Sequence, residues 1–290
     1  YNYLHILKPR HVPVYSVSSI FRPGQVFFRW YGHQYGRVLR CFTHFYVQNQ
    51  TSKELLATRN ITDVTVVGDT RFDRVMQIKG QAKVLPVVER FVSGRRVFVA
   101  GSSWQPDEEM FIPYFNGRQP GWKLIIAPHV IAEDHLQQIE KLLGGRRVVR
   151  YSKVQEQAKA DGTIAEETAK QLADADAVII DCFGLLSSIY RYADIAYVGG
   201  GFGVGIHNLP EAAVWGVPVM FGPNNQRFQE AQDLKSCGGG IEIGGSDDFT
   251  RRADELIADA DKLKRAGEAA AEYVKQKAGA TDMILSEVEL

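Results

Sequence analysis

From about Phe91 onward, short apolar runs alternate with longer amphipathic stretches, and this rhythm limits the folds open to the chain. The runs are residues 96–100, 123–127, 147–151, 177–180, 195–198 and 217–221. They are apolar along their length rather than at every second position, and rich in Val, Ile and aromatic residues. That is the pattern of a parallel strand covered on both faces. Between them, residues 131–143 place Ile131, Leu136, Ile139, Leu142 and Leu143 on one helical face. Residues 164–173 begin with acids and continue with Ala, Lys, Gln and Leu, which favour helix. Parallel strands are joined by right-handed crossovers, so the repetition predicts an α/β fold with a doubly wound parallel sheet. Residues 247–277, rich in Ala, Glu, Asp and Lys, predict one or two closing surface helices.

Residues 1–73 differ in texture. Residues 12–17, 41–47 and 64–68 predict strands, and the aromatic, basic segment 27–40 is compatible with a helix. Three strands with one or two helices are half of a doubly wound domain and would leave a sheet edge uncovered. The expected organisation is therefore the closing part of one Rossmann-like domain over 1–73 and a second over 74–290. The beginning of the first domain, with room for a membrane anchor, is expected to precede Tyr1. Lys plus Arg and Asp plus Glu are equal at 34 each, which gives no overall basic field for nucleic acid. Cys41, Cys182 and Cys237 form no CxxC pair, so they read as free thiols rather than a zinc or redox site. No apolar run approaches the ~18 residues that span a bilayer.

Ligands of doubly wound sheets bind beyond the carboxyl ends of the strands. Here those ends lead into Gly101-Ser102-Ser103-Trp104, Pro128-His129, Asp181-Cys182-Phe183-Gly184, the stretch 199–208, and Gly222-Pro223-Asn224-Asn225. Small, polar and glycine-rich residues thus gather on one rim. Five glycines in the seven positions 199–205 are expected to present backbone N–H groups as an anion nest, with a helix start at about Leu209 adding its positive end. The loop is neither GxGxxG nor a P-loop. Asn208 and Glu211, with Pro210 between them, match a capping box; alternatively Glu211 accepts hydrogen bonds from a ribose diol. His129 and His207 are either structural or ligand-facing. Neither has a partner at metal spacing, and no Asp-x-Asp pair stands at this rim, so no metal is predicted. Ser102 and Ser103, followed by Asp107, Glu108 and Glu109, fit helix capping or a ligand contact equally. Arg71 and Asp73 lie in either an interdomain linker or a place from which an Arg reaches a sugar carboxylate.

These segments together resemble the bacterial 3-deoxy-D-manno-octulosonic acid (Kdo) transferases. Gly199-Gly200-Gly201-Phe202, His207-Asn208-Leu209-Pro210-Glu211 and Gly216-Val217-Pro218-Val219-Met220-Phe221-Gly222-Pro223 are similar to the family's Gly-rich loop, His-Asn-x-x-Glu and Gly-x-Pro-Val-x-x-Gly-Pro. Residues 68–73, Gly101-Ser102-Ser103-Trp104 with Glu108-Glu109, and 184–194 resemble further family segments, and the similarity runs to about Leu234. The resemblance implies a GT-B fold that binds CMP-Kdo as its donor substrate and uses no cofactor. It implies inverting, metal-independent transfer to a lipid A precursor at the cytoplasmic face of the inner membrane, with no nucleic-acid partner. Donor contacts would come from Ser102, Ser103, His129, Gly184, Gly200, Gly201, Phe202, His207, Asn208 and Glu211; Arg71 and Asp73 would lie toward the sugar. The chain departs from the pattern where Ala127-Pro128-His129-Val130 replaces Pro-Arg-His-Pro, where Trp104 replaces a common His, and where Arg71 replaces a Lys. The family's general base is a Glu early in its N-terminal domain. No residue here matches it, so the catalytic base is unassigned and expected in a preceding segment. Two other readings stay open: a GT-B enzyme acting on a UDP-sugar, as transferase or 2-epimerase, and a fragment that only binds.

Overall fold

In the computed structural model, which describes residues 2–82, 84–118, 121–157 and 164–288, the chain forms two compact α/β units. One is Tyr1–Met76 with Gln276–Leu290; the other is Gln77–Lys275. The expected partition at residue 73 assigned the whole C-terminus to the second domain. Instead the helix Ala280–Glu287 packs Ala280 and Ile284 against Tyr46 and Val67 of the first unit. Asp73 ties it there, accepting from the backbone N–H groups of Gly279 and Thr281 and from the Thr281 hydroxyl.

The first unit carries β1 (Tyr15–Ser19), β2 (His44–Val47) and β3 (Val64–Val66), parallel and adjacent in that order. Phe21, Leu39, Phe45, Val47, Leu56 and Val64 form its buried centre. Residues 27–40 are not one helix. They fold as the short 3-10 turns Val26–Phe28, Trp30–Gly32 and Arg37–Cys41 around a four-residue α-turn, His33–Gly36. The reason is apparent in the packing: Phe27, Phe28 and Val38 fold inward onto the core, whereas Trp30, Tyr31 and Tyr35 stay exposed, so no single helical stripe exists.

The second unit is built on seven parallel strands: β4 (Val97–Ser103), β5 (Lys123–Pro128), β6 (Val148–Arg150), β7 (Ala177–Ile179), β8 (Ile195–Val198), β9 (Val219–Phe221) and β10 (Gly240–Glu242). Their order is β10-β9-β8-β4-β5-β7-β6. The sequence predicts six of them; β10 is additional. Its glycines disguise it, and packing requires them: a Cβ on Gly239 would lie 2.7 Å from the Ala270 backbone, and one on Gly240 would lie 2.8 Å from Leu234 Cβ. Phe98, Phe111, Phe115, Tyr197 and Phe249 form an aromatic core on one face of the sheet. At about 25 cal/mol per Å² of apolar area, burial of such side chains is the main term holding this layer together.

The topology fixes where a site can form. From β4 the sheet extends through β5, β7 and β6 on one side and through β8, β9 and β10 on the other, with β5 following β4 in the chain and β8 entering on the opposite side. The switch point, where connections depart in opposite directions and leave a crevice, lies beyond the carboxyl ends of β4 and β8. Ser102 and Ser103 close β4 and Trp104 follows it, and the glycine-rich stretch 199–205 follows β8. Among the described residues no helix is long and apolar enough to cross a membrane.

Candidate active site at the switch point

The two strand exits are brought into direct backbone contact. Gly199 N–H donates to Gly101 O at 2.9 Å, and His129 N–H donates to Ser103 O at 2.9 Å. A Cβ on Gly199 would sit 2.3 Å from Ser102 O, so only glycine allows this approach. Ser102 itself adopts a left-handed conformation, φ 52°, where β4 turns away from the sheet. Gly201 is packed as tightly against the exit of β9: its built Cβ would meet Gly222 Cα at 2.5 Å.

Asp107 latches this arrangement. Its Oδ2 accepts from the backbone N–H groups of Trp104 and Gly200, each at 2.9 Å, and its Oδ1 from the Tyr197 hydroxyl at 2.6 Å. Asp107 is buried, and burial beside it pushes the Tyr197 hydroxyl well above its ordinary pKa. Several of the loop's N–H groups are thus engaged within the protein. Gly200 donates to Asp107, Gly203 and Gly205 to Gly200 O, and His207 to Gly199 O. A helix does begin there, at Pro210, but only the four residues Pro210–Ala213 are helical, too short a segment to carry an appreciable dipole.

Side chains gather beside the loop. Trp104 stacks on His129 at 4.6 Å between centroids, and His129 stacks on His207 at 4.4 Å. Trp104 Nε1–H donates to His207 Nε2 at 3.1 Å. Burial first, and then the neighbouring His129, lower the pKa of His207; Asp107 and Glu211 pull it partly back. Glu211 does not cap the helical turn. Its Oε1 accepts from Asn208 Nδ2 at 2.8 Å and its Oε2 from the Ser187 hydroxyl at 3.1 Å. The capping-box reading therefore gives way to a carboxylate braced by two side chains. Because Asn208 spends its amide N–H on Glu211, its Oδ1 is the atom left over, buried without a protein partner.

The remaining candidates separate. The buried Ser103 hydroxyl donates to Glu108 Oε1 at 2.7 Å, and His135 Nε2 bonds Glu108 Oε2 at 2.8 Å, so Ser103 belongs to an internal network rather than facing a ligand. Burial raises the Glu108 pKa, against the lowering effects of Ser103 and His135. Phe202 packs against the core, and Gly184 sits exposed after β7 at φ 86°. Arg71 and Asp73 lie in the other unit: the Arg71 guanidinium pairs with Asp69 at 2.7 Å, and Asp73 holds the C-terminal helix start. Among the described residues no group of three His, Cys, Asp or Glu is placed to hold a metal ion. The sequence reading did not assign Trp104, Asp107 or Ser187 to the site. Asp107 carried a local signal, an acid at the third position after Trp104, the residue that precedes its helix; Ser187 carried none.

No protein-family model matches the chain. Among curated proteins it is similar to the 3-deoxy-D-manno-octulosonic acid transferase of Bordetella pertussis, 25% identical over 281 residues, covering 95% of this chain and 61% of that protein. It is 23% identical over 241 residues to the enzyme of that name from Rickettsia prowazekii (strain Madrid E), covering 82% of this chain and 50% of the relative. The chain thus spans about half the length of the curated relatives it matches. Among solved structures it is similar to the C-terminal CMP-Kdo binding domain of WaaA from Acinetobacter baumannii, with a TM-score of 0.51 and 18% identity over 71% of this chain and 97% of that one. It is also similar to a UDP-N-acetylglucosamine 2-epimerase, with a TM-score of 0.63 and 13% identity over 97% of this chain and 68% of that one. The chain therefore has a GT-B-type α/β fold and is similar, along most of its own length, to the bacterial 3-deoxy-D-manno-octulosonic acid transferases.

Proposed function

We propose that the switch point beyond β4 and β8 binds CMP-Kdo, and that the chain serves a Kdo transferase acting on a lipid A precursor at the cytoplasmic face of the inner membrane. The similarity to proteins of that name supports the reaction class. The observation that carries the site is the pair Asn208 and Glu211: a buried, unpartnered carbonyl oxygen beside a carboxylate braced by Ser187 rather than used as a cap. Two adjacent acceptors suit a ligand rich in hydroxyl and amino donors, such as a ribose diol or an aminopyrimidine. The proposed transfer inverts the anomeric carbon: the acceptor oxygen attacks opposite the departing CMP, and a base not assigned in this chain takes its proton. The reaction is proposed to run without a metal. Side-chain donors at the rim, His207 among them, then stabilise the leaving phosphate, as preorganised dipoles do for developing charge.

Thermal denaturation with CMP and with UDP tests this reading. A ligand at 100 times its Kd adds about 2.7 kcal/mol. In a unit of this size that raises Tm by roughly 5–10 °C. CMP is expected to give that rise and UDP much less. Glu211→Ala is expected to keep the unliganded Tm within about 2 °C, because its partners are half-exposed and no cap is lost, and to abolish the CMP rise. A UDP preference would reassign the site to another nucleotide sugar, and a CMP rise that survives Glu211→Ala would remove Glu211 from the ligand contacts.

A further inference from the structure

His207 sits half-buried at the end of the glycine loop, with its Nε2 3.1 Å from Trp104 Nε1. An indole N–H can only donate, so Nε2 must present its lone pair and the ring proton must reside on Nδ1. Trp104 is itself fixed: its backbone N–H is held by Asp107, and its ring stacks on His129, which stacks in turn on His207. Among the described residues Nδ1 of His207 has no protein acceptor. The titratable groups facing the ring are His129 from the end of β5, Asp107 from the helix Gln105–Arg118, and Glu211 from the turn Pro210–Ala213. His129 and burial oppose an imidazolium, whereas Asp107 and Glu211 favour one, and the balance falls on the side of the neutral ring.

We infer that Trp104 is a positioning residue that holds His207 as the neutral Nδ1–H tautomer, so that His207 meets the phosphate of a nucleoside monophosphate as a hydrogen-bond donor and not as a cation. The identity of the ligand rests on the proposed function above; the tautomer does not. Without the indole N–H, Nε2 becomes free to take the proton. In the neutral ring this withdraws the donor from Nδ1, and only a second protonation restores it.

The experiment uses the whole 290-residue chain labelled with 15N-histidine. Long-range 1H–15N spectra at pH 7.5 are expected to show His207 with a protonated Nδ1 and an unprotonated Nε2. In Trp104→Phe, which keeps an aromatic ring and removes the donor, the resonances are expected to shift toward the Nε2–H form and the ring to titrate at higher pH. CMP affinity measured by calorimetry at pH 7.5 is expected to fall about ten-fold in Trp104→Phe, the loss of one hydrogen bond to a charged group, and to recover most of that loss at pH 5.5. A merely structural role for Trp104 would weaken binding equally at both pH values. Should Trp104→Phe not fold, the wild-type spectrum decides alone. A wild-type His207 protonated at Nε2 overturns the inference, whether or not CMP binds. A wild-type chain with the stated tautomer that ignores CMP overturns the nucleotide reading and leaves the tautomer standing.

Discussion

The latch at Asp107 gives the most demanding prediction. One buried carboxylate accepts three hydrogen bonds, two from the backbone of Trp104 and Gly200 and one from Tyr197, and so joins the exits of β4 and β8. Each bond to a charged acceptor contributes about 1.5–3 kcal/mol. The three share one side chain, so their sum overstates its removal, and Asp107→Ala is expected to cost about 3–5 kcal/mol. For a unit of roughly 200 residues this lowers Tm by about 10 °C. Asp107→Asn separates hydrogen bonding from charge. Its Oδ1 can still accept from both backbone N–H groups, and its amide can face a Tyr197 hydroxyl rotated to accept. That variant is expected to lose only about 1–2 kcal/mol, and Tyr197→Phe about as much. Urea unfolding followed by circular dichroism measures all three, with an unchanged m-value showing that the native state stays compact. An Asp107→Ala cost below about 1 kcal/mol would show that the loop is held by something else. An Asp107→Asn cost equal to that of Asp107→Ala would mean that charge, not bond geometry, carries the latch.

Gly201→Ala forces a Cβ to within 2.5 Å of Gly222 Cα, backbone against backbone, and is expected to cost about 1–3 kcal/mol in urea unfolding and to remove the CMP-induced rise in Tm; unchanged stability would refute the packing argument. Hydrogen bonds from Arg150, and then from Gln137, lower the Glu133 carboxyl from 4.5 to about 2, so its contribution to stability is present above pH 4.5 and lost as pH falls toward 2. Glu133→Gln is therefore expected to flatten the acid side of the stability–pH profile between those values, and identical profiles would dismiss the pairing.

How much of this was legible depends on how local each cause is. The six predicted strands were, because burial on both faces leaves a largely apolar run that needs no partner to be read, even though β6, at the sheet edge, carries Arg150. β10 was not, because its side chains were surrendered to let Ala270 and Leu234 approach. The return of the C-terminal helix to the first unit rests on Asp73 reaching Gly279 and Thr281, a pairing far apart in sequence that nothing near Asp73 announces. At the candidate site, the rim that the sequence singles out is where the exits of β4 and β8 meet, but the local cap pattern at Asn208 and Glu211 suggests the wrong bond. With Leu209 already helical, at φ -59° and ψ -39°, the turn begins without a side-chain cap, and Asn208 gives its amide to Glu211 instead. The glycines were read as room for a ligand, and the structure uses at least three of them to bring protein backbones together.

That last difference changes what the glycine-rich loop contributes. Gly199 closes on Ser102, Gly200 on Gly205 and Gly201 on Gly222, while Asp107 and the loop's own carbonyls take the N–H groups of residues 200, 203, 205 and 207. Such a loop supplies rigidity and position. The side chains proposed to meet a ligand stand on that rigid base: a histidine donor whose tautomer Trp104 is inferred to set, an asparagine carbonyl with no protein partner, and a carboxylate braced by Ser187. Each can be altered without moving a strand. On the proposed reading, nucleotide preference is expected to respond to substitutions around Trp104, Ser187 and Asn208, whereas changes to the glycines are expected to act first on stability. A glycine variant that kept full stability and changed only which nucleotide binds would run against this division of labour.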